Sequence, residues 1–290
     1  NSMTITLPDY VRDDIQRNVS FALEEDIRSG DITAQLIDAN SESTATIITR
    51  EDAVMCGIPW ADEVFRQLGD VEIEWHVQDG DRLTAETTLC TLHGNTRKIL
   101  TGERTALNFL QTLSGTATVT RRMVERVRGT EARIVDTRKT LPGLRRGQKY
   151  AVRCGGGHNH RIGLYDGILI KENHIAAAGG ISEAIAAARA LGAGVPLMTE
   201  AETLGEARAA LAANVDLLLV DDFPLDTLRE AVALTRAHRA QGGRTVIEYS
   251  GGATLDTVRA YAECGVDRIS VGSITKHVHA VDLSMRLLQA

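Results

Sequence analysis

From about residue 130 onward, short apolar runs alternate with longer segments in which apolar residues recur at helical spacing. Short runs that are apolar on both faces are typical of parallel strands covered by helices, and the helical spacing predicts amphipathic helices. The predicted strands are 132–136, 167–171, 195–199, 215–220, 245–249 and 268–271, and the predicted helices are 181–191, 203–213, 225–241 and 255–264. This repetition predicts an α/β unit built from successive βα repeats.

The amino-terminal part of the chain has a different pattern. Runs rich in β-branched residues lie at 43–50, 71–77 and 87–93, and turn signals such as Asp79-Gly80 separate them. These features predict a separate α+β domain. A segment from 97 to 113 carries apolar residues at helical spacing and is predicted to be a helix that links the two parts.

Polar side chains follow the ends of the predicted strands. In a barrel of βα units the carboxyl ends of the strands meet at one mouth, so residues far apart in sequence would line a single cavity. This convergence favours an enzyme. The residues concerned are Asp136, Thr137, Arg138, Lys139, Lys171, Glu172, Asn173, His174, Glu200, Asp221, Asp222, Glu248, Ser250, Gly251, Gly252, Gly272 and Ser273.

Composition narrows the class of protein. The chain has 290 residues, a formal net charge of −7 and four widely spaced cysteines without a CxxC pair, so neither a disulfide framework nor a zinc site is indicated. No apolar run approaches the roughly 20 residues of a membrane helix, and no signal-peptide pattern is present. We therefore expect a cytoplasmic protein with no membrane partner. The acidic balance also argues against nucleic-acid binding.

Positive charge is concentrated between residues 138 and 171, where eight basic residues stand against one acid, Asp166. Adjacent cations such as Arg138 and Lys139 repel unless an anion lies between them, and arginine fits a carboxylate in a bidentate manner. Three glycines at 155–157 permit close approach of backbone amides to an anion, and His160 and Arg161 follow. A solvated loop and a flexible turn are the alternatives, but the charge imbalance favours an anion pocket.

The other strand ends carry further candidates with open alternatives. Lys171 is a candidate for the anion pocket, or for a Schiff-base nucleophile if its pKa were depressed. Glu200 and Asp221 would suit Mg²⁺ carried by a phosphorylated substrate, or would be acids favoured at helix amino termini. The glycine loops at 250–252 and 272–273 suit a phosphate held by backbone amides, or are ordinary tight turns.

Five sequence blocks together resemble one enzyme family. They are TGERTALN at 101–108, DTRKTLPGLR at 136–145, KYAV at 149–152, GGGHNHR at 155–161 and LIKENHI at 169–175. The chain resembles quinolinate phosphoribosyltransferases, also known as carboxylating nicotinate-nucleotide pyrophosphorylases. The resemblance implies an α/β sandwich domain at 3–114, an incomplete α/β barrel of about six or seven βα units at 115–274, and a helix at 275–290 that packs back on the first domain.

The resemblance also implies a reaction and a site. Phosphoribosyl pyrophosphate and quinolinate would give nicotinate mononucleotide, pyrophosphate and CO₂ with Mg²⁺, in a homodimer whose active site is shared between subunits. Lys139, Glu200 and Asp221 would be catalytic, and the last two would also hold the metal. The implied substrate-binding residues are Arg104 from across the dimer, Thr137, Arg138, His160, Arg161, Lys171, Ser250, Gly251, Gly252, Gly272 and Lys276.

Two positions depart from the family pattern. Met198 stands where the family usually has an acid, and Asp222 stands where it usually has an asparagine, which puts the metal coordination in question. Alternative functions are a paralogue of the same fold associated with molybdenum uptake, and a non-catalytic protein that binds a phosphorylated metabolite. Retention of the dicarboxylate-binding set as a whole argues against the paralogue; the set is Arg104, Arg138, His160, Arg161 and Lys171.

Overall fold

The computed structural model describes residues 5–288, which form two compact units. Of the described residues, the first unit comprises 5–121, 140–156 and 274–288, and the second comprises 122–139 and 157–273. Both units are therefore discontinuous, whereas the predicted domains were contiguous. Among the described residues, no helix is both long enough and apolar enough to cross a membrane.

Strands and helices alternate along most of the chain. The strands are β1 (Glu42–Thr49), β2 (Ala53–Val54), β3 (Val71–Trp75), β4 (Arg82–Leu83), β5 (Thr88–Asn95), β6 (Arg133–Val135), β7 (Ile168–Ile170), β8 (Leu197–Ala201), β9 (Leu217–Asp221), β10 (Val246–Ser250), β11 (Arg268–Ser270) and β12 (Leu283–Leu287). The α-helices are α1 (Asp9–Ile27), α2 (Ile58–Leu68), α3 (Thr96–Arg126), α4 (Arg145–Cys154), α5 (Glu172–Ala178), α6 (Ile181–Ala190), α7 (Leu204–Ala212), α8 (Leu225–Ala240), α9 (Val258–Glu263) and α10 (Ser273–Lys276).

The first unit is built on a four-stranded antiparallel sheet with the order β12-β1-β5-β3. Helix α1 buries Val11, Ile15, Val19 and Leu23, which recur every four residues and so share one face. These side chains belong to one core with residues of α2, α3 and the sheet. Each fully buried side chain of this size contributes about 1.5–3 kcal/mol of hydrophobic free energy.

The predicted helix at 275–290 is wrong over most of its length. After the single turn of α10, the chain forms β12, which pairs antiparallel with β1 in the register Ile47 opposite Met285. The reason lies in the sequence, since apolar residues at 281, 283, 285 and 287 alternate with polar ones in the period of a strand. This segment belongs to the first unit, with which it was predicted to pack.

The second unit holds a six-stranded parallel sheet with the order β6-β11-β10-β9-β8-β7. All six predicted strands are present, with ends that differ by a few residues. The sheet is open: β6 and β7 form its two edges, and the one isolated bridge of the described chain adds His158 beside Val135 of β6. The α/β fold with an amino-terminal sheet domain and a parallel sheet of six strands is therefore confirmed.

A buried carboxyl group joins several segments of the first unit. Asp79 Oδ1 accepts hydrogen bonds from the amides of Gly57 and Ile58 at the start of α2, and Asp79 Oδ2 accepts from the Tyr150 hydroxyl at 2.5 Å. The side chains of Cys56 and Cys154 are buried beside it, with ligand atoms of all three residues within 4.8 Å of one another. Burial raises the pKa of Asp79 to about 6, although these hydrogen bonds act to lower it.

The raised pKa of Asp79 predicts a pH-dependent stability. A carboxyl group whose pKa is higher in the folded than in the unfolded state binds more protons when folded, so stability falls as pH rises from about 4 to about 6. Asp79→Asn keeps an acceptor for the amides and a partner for Tyr150. We expect this variant to lose that pH dependence and to gain on the order of 1–3 kcal/mol above pH 6.

Urea midpoints measured at several pH values check this prediction. Asp226→Asn is a matched control that should leave the slope unchanged, because it removes an exposed carboxylate paired with the surface residue Arg229. An unchanged slope of midpoint against pH in the Asp79 variant would contradict the assignment.

Candidate active site

The carboxyl ends of the six parallel strands collect the predicted site residues of the second unit at one edge of the sheet. The backbone register sets Asp221 of β9 beside Ser250 of β10, and Leu219 of β9 beside Glu200 of β8. Lys171 directly follows β7, and Gly272 lies two residues beyond β11. Residues from five separate βα units therefore surround one region.

Lys139 lies beside the loop that follows β11. A Cβ atom added to Gly272 would be 3.0 Å from Lys139 Cδ and 3.5 Å from Thr137 Oγ1. Thr137 Oγ1 also accepts a hydrogen bond from the Lys139 amide at 3.0 Å. Because Gly272 has no side chain, the Lys139 stem passes close to this backbone. The positive charge of Lys139 also acts on the Asp221 carboxylate and acts to lower the pKa of Asp221.

Glu200 and Asp221 form an interacting pair of half-buried carboxylates. Burial, followed by the charge of Asp221, raises the pKa of Glu200, while Lys171 acts in the opposite direction. Burial, followed by the charge of Asp222, raises the pKa of Asp221. Each carboxylate is thus incompletely compensated and would be stabilised by a cation placed between them.

This pair fits a magnesium ion that arrives with a phosphorylated ligand. Mg²⁺ is usually bound through one or two carboxylates, substrate phosphate oxygens and water. The charge of Asp221 is close enough to act on Glu200 and raise its pKa. The residues present therefore suit the ion, and Glu200 and Asp221 could serve as its protein ligands.

Arg138 follows the edge strand β6, and its positive charge acts on that of Arg161. Burial and then the charge of Arg138 lower the pKa of the Arg161 guanidinium, and Asp166 acts in the opposite direction. Arg161 Nη1 donates to the Gly167 carbonyl at 3.1 Å, which directs its side chain toward the start of β7. A planar anion with two carboxylates would relieve the repulsion between these guanidinium groups.

The turn that carries Arg161 is held by Asp136, a residue whose role the sequence did not indicate. Asp136 is fully buried, and its Oδ2 accepts from Asn159 Nδ2 at 2.6 Å while its Oδ1 accepts from the His160 amide at 2.8 Å. Sequence reasoning placed Asp136 at the mouth of the cavity among the polar residues. The structure instead makes it an anchor of the glycine-rich segment on β6.

Glu248 is a second buried acid that was expected at a strand end. It lies in the middle of β10, fully buried, and its Oε1 accepts from Arg268 Nε on the neighbouring strand at 2.8 Å. Glu248 Oε2 lies 3.4 Å from His160 Nε2. Burial acts to raise the pKa of Glu248, but the interactions with His160 and Arg268 outweigh it and lower the pKa.

The two departures from the family pattern occupy different surroundings. Met198 is buried in β8. A Cβ atom added to Gly167 would lie 2.8 Å from the Met198 methyl group. The same added atom would lie 3.5 Å from both Cβ and Cδ of Arg161. Met198 and the stem of Arg161 therefore both lie beside the Gly167 backbone. Asp222 is exposed, adopts a positive φ of 55° and donates its amide to the Ser250 carbonyl at 2.7 Å.

The glycine loop after β10 is restricted by the residue that precedes it. Tyr249 is buried and stacks on Tyr261 with ring centroids 4.1 Å apart. A side chain at Gly251 would overlap the Tyr249 hydroxyl, and Gly252 has a φ of +70°. Glycine is therefore required twice here, as expected for a loop whose backbone amides approach an anion.

The remaining two predicted residues belong to the first unit. Arg104 is exposed on α3, in a surface groove that Asp26, Asp31 and Thr101 also line. Lys276 is exposed at the end of α10, where the neighbouring Thr275 carbonyl accepts from Gln148 Nε2 at 2.9 Å.

Six parallel strands with cations, paired carboxylates and glycine loops at their carboxyl ends define an α/β protein with a site for anionic, phosphorylated ligands. The quinolinate phosphoribosyl transferase C-terminal domain matches residues 116–286, and the N-terminal domain of the same family matches residues 31–114. The chain belongs to the quinolinate phosphoribosyltransferase family.

Curated relatives and solved structures agree with this family. The chain is 43% identical over 263 residues to the probable carboxylating nicotinate-nucleotide pyrophosphorylase of Bacillus subtilis, covering 90% of this chain and 89% of the relative. It is 42% identical over 285 residues to the carboxylating nicotinate-nucleotide pyrophosphorylase of Mycobacterium leprae. The match covers 96% of this chain and 98% of the relative. The structure of the Francisella tularensis nicotinate-nucleotide pyrophosphorylase is similar with a TM-score of 0.90 and 43% identity, covering 99% and 100%.

The contact between Gly272 and Lys139 can be tested by Gly272→Ala. The added methyl group would meet the flexible Lys139 stem rather than backbone, so the lysine should move while the fold persists. We expect affinity for pyrophosphate, measured by calorimetry, to fall about tenfold and stability to change by less than about 1 kcal/mol.

Gly205→Ala is the matched control, because its added Cβ would meet only Thr203 Oγ1 at an ordinary 3.7 Å. If Gly272→Ala leaves the affinity for pyrophosphate unchanged, the Lys139 stem does not need the space that the absent side chain of Gly272 provides.

Proposed function

We propose that the protein transfers the phosphoribosyl group of phosphoribosyl pyrophosphate to quinolinate with loss of CO₂, which yields nicotinate mononucleotide and pyrophosphate. Family membership supports this reaction. The observation that carries it for this chain is the Arg138 and Arg161 pair, two guanidinium groups held close enough to repel each other. Quinolinate carries two adjacent carboxylates on a flat ring, and this pair matches their charge and planarity.

The chain's own groups suit the displacement at the ribose. The pyridine nitrogen forms a bond to C1 of the ribose as the bond from C1 to pyrophosphate breaks, and positive charge develops on the sugar. Lys139 would stabilise the negative charge that accumulates on the departing pyrophosphate. Bound Mg²⁺, held by Glu200 and Asp221, would supply further charge neutralisation to the phosphate oxygens.

The remaining contacts divide between the two substrates. The backbone of the loops at 250–252 and 272, with Lys276, would bind the 5′-phosphate, since exposed amides and a nearby cation suit a dianion. Thr137 and Lys171 would complete the contacts with the substrates at the carboxyl ends of the parallel strands. Once the ring nitrogen is quaternary, the bond to the adjacent carboxylate can break because the ring accepts the electron pair, and a solvent proton replaces CO₂.

The dicarboxylate site is also proposed to receive Arg104 from a second subunit. Arg104 is exposed on α3 of the first unit, whereas the other proposed ligands of quinolinate belong to the second unit. A homodimer in which each site takes the partner subunit's Arg104 accounts for retention of this exposed cation.

Product analysis tests the proposed reaction directly. Incubation with quinolinate, phosphoribosyl pyrophosphate and Mg²⁺ should give nicotinate mononucleotide and CO₂ in equal amounts, and chelation of Mg²⁺ should stop the reaction. Lys139→Ala and Arg161→Ala should each lower kcat/KM by about two to three orders of magnitude while the unfolding midpoint is retained.

Lys98→Ala and Arg229→Ala are matched controls, because each removes an exposed cation paired with a surface acid and should leave activity unchanged. Binding of phosphoribosyl pyrophosphate without any product would instead favour a non-catalytic binding protein.

Mixed dimers test the shared site. Arg104→Ala and Lys139→Ala subunits should each be inactive alone, but a hybrid has one site with both residues intact. Random mixing should therefore recover about a quarter of wild-type activity. A mixture of Lys139→Ala with Arg161→Ala subunits is the control and should remain inactive, because both changes fall in the same unit. Absence of recovery in the first mixture would place Arg104 in the site of its own subunit.

A further inference from the structure

The chain between Arg161 and the start of β7 closes on itself through two side chains. Asp166 Oδ2 accepts a hydrogen bond from the Ile162 amide at 2.7 Å, and Asp166 Oδ1 accepts from the Gly163 amide at 2.9 Å. In the opposite direction, Arg161 Nη1 donates to the Gly167 carbonyl at 3.1 Å. Each side chain therefore binds backbone next to the other residue, and the segment forms a closed loop.

Burial does little to fix this segment, residues 161–167, termed here the arginine loop. It contains no helix or strand, and Leu164 and Tyr165 at its tip are 72% and 65% exposed. Gly163 is buried, and a Cβ atom added there would lie 2.7 Å from Tyr165 Cε1, so the turn has no room for a larger residue. A loop of this kind keeps one conformation only if its hydrogen bonds offset the entropy of ordering it. Bonds to an ionised carboxylate suit this role, because they are roughly twice as strong as neutral ones.

Asp166 also acts on Arg161 through its charge. Burial and then the charge of Arg138 lower the pKa of the Arg161 guanidinium, and Asp166, the one acid between residues 138 and 171, acts in the opposite direction. The guanidinium carries several N–H donors, and the bond to the Gly167 carbonyl leaves others for a carboxylate. The acid can therefore support the arginine without taking the place of a ligand.

We propose that Asp166 is a positioning residue, which holds the arginine loop closed and thereby sets the guanidinium of Arg161 for the dicarboxylate. This role rests on the proposed function, since Arg161 is the group that would touch quinolinate. Asp166 itself would not touch the substrate, because a carboxylate repels a dianion. A role through charge alone makes the opposite prediction, since removal of a negative charge beside an anion site should strengthen anion binding.

Three variants separate position from charge. Asp166→Ala removes both acceptors, Asp166→Asn keeps one acceptor but removes the charge, and Asp166→Glu keeps the charge but displaces the oxygens by a methylene group. We expect KM for quinolinate to rise about tenfold or more in Asp166→Ala and about threefold or more in the other two. KM for phosphoribosyl pyrophosphate should change by less than about twofold, because the loop would contact only the dicarboxylate. A KM for quinolinate that falls in Asp166→Asn, or that stays at the wild-type value in all three variants, overturns the proposal.

Nuclear magnetic resonance of the wild-type protein gives a test that does not depend on how the variants fold. The amides of Ile162 and Gly163 should exchange slowly with solvent both before and after quinolinate is added, because the loop is already closed in the free protein. Quinolinate should also shift the Arg161 Nε signal, which is assigned by its absence from an Arg161→Lys sample. Amides that are protected only in the presence of quinolinate would mean that the ligand closes the loop, and the positioning role would then be wrong.

Asp52→Ala and Asp52→Asn are the matched controls, because Asp52 Oδ1 accepts a backbone amide, that of Ala85, at 2.8 Å in the first unit. They should leave KM for quinolinate unchanged. The two proposals also fail separately. If the wild-type protein forms no nicotinate mononucleotide, the proposed function fails, whereas an active wild-type enzyme whose Asp166 variants keep the wild-type KM for quinolinate overturns the positioning role alone.

Discussion

The arrangement of the second unit depends on a buried carboxylate, that of Asp136, which binds the Asn159 side chain and the His160 amide together. A buried charge is costly unless hydrogen bonds satisfy it, so these two contacts are strongly favoured over alternatives. They fix the segment after the three glycines against β6. Because Arg161 directly follows this segment, the position of its guanidinium group depends on Asp136, an acid that does not itself have to contact a ligand.

Charge in this unit is arranged in two layers. The upper layer, at the carboxyl ends of the strands, holds exposed or half-buried cations together with the carboxylates of Glu200 and Asp221. Beneath it, Glu248 is fully buried against Arg268 and His160. Acids below a cationic surface partly offset its self-repulsion without competing for the ligand, since they are buried away from it. The upper layer therefore keeps its attraction for anions.

Much of the second unit could be predicted from the sequence, because apolar runs of fixed length identify parallel strands and strand ends identify the site edge. The individual roles of Asp136 and Glu248 could not, since a strand-end acid and a buried acid have the same sequence neighbourhood. Helices α1 and α2 were not identified, although the spacing at 11, 15, 19 and 23 would have indicated the first. The prediction of a helix at 275–290 is wrong because the apolar residues from 281 to 287 alternate with the period of a strand.

The pairing of β12 with β1 has a consequence for biosynthesis. The chain leaves the ribosome from its amino terminus, so β1 is synthesised about 240 residues before the strand that covers its edge. Until then β1 can pair on one side only, and an uncovered strand edge is a template for association with other chains. The first strands of the amino-terminal sheet are therefore synthesised early, but the sheet is completed only near the end of synthesis. During that interval, nascent chains are most exposed to misassembly at the unpaired edge of β1.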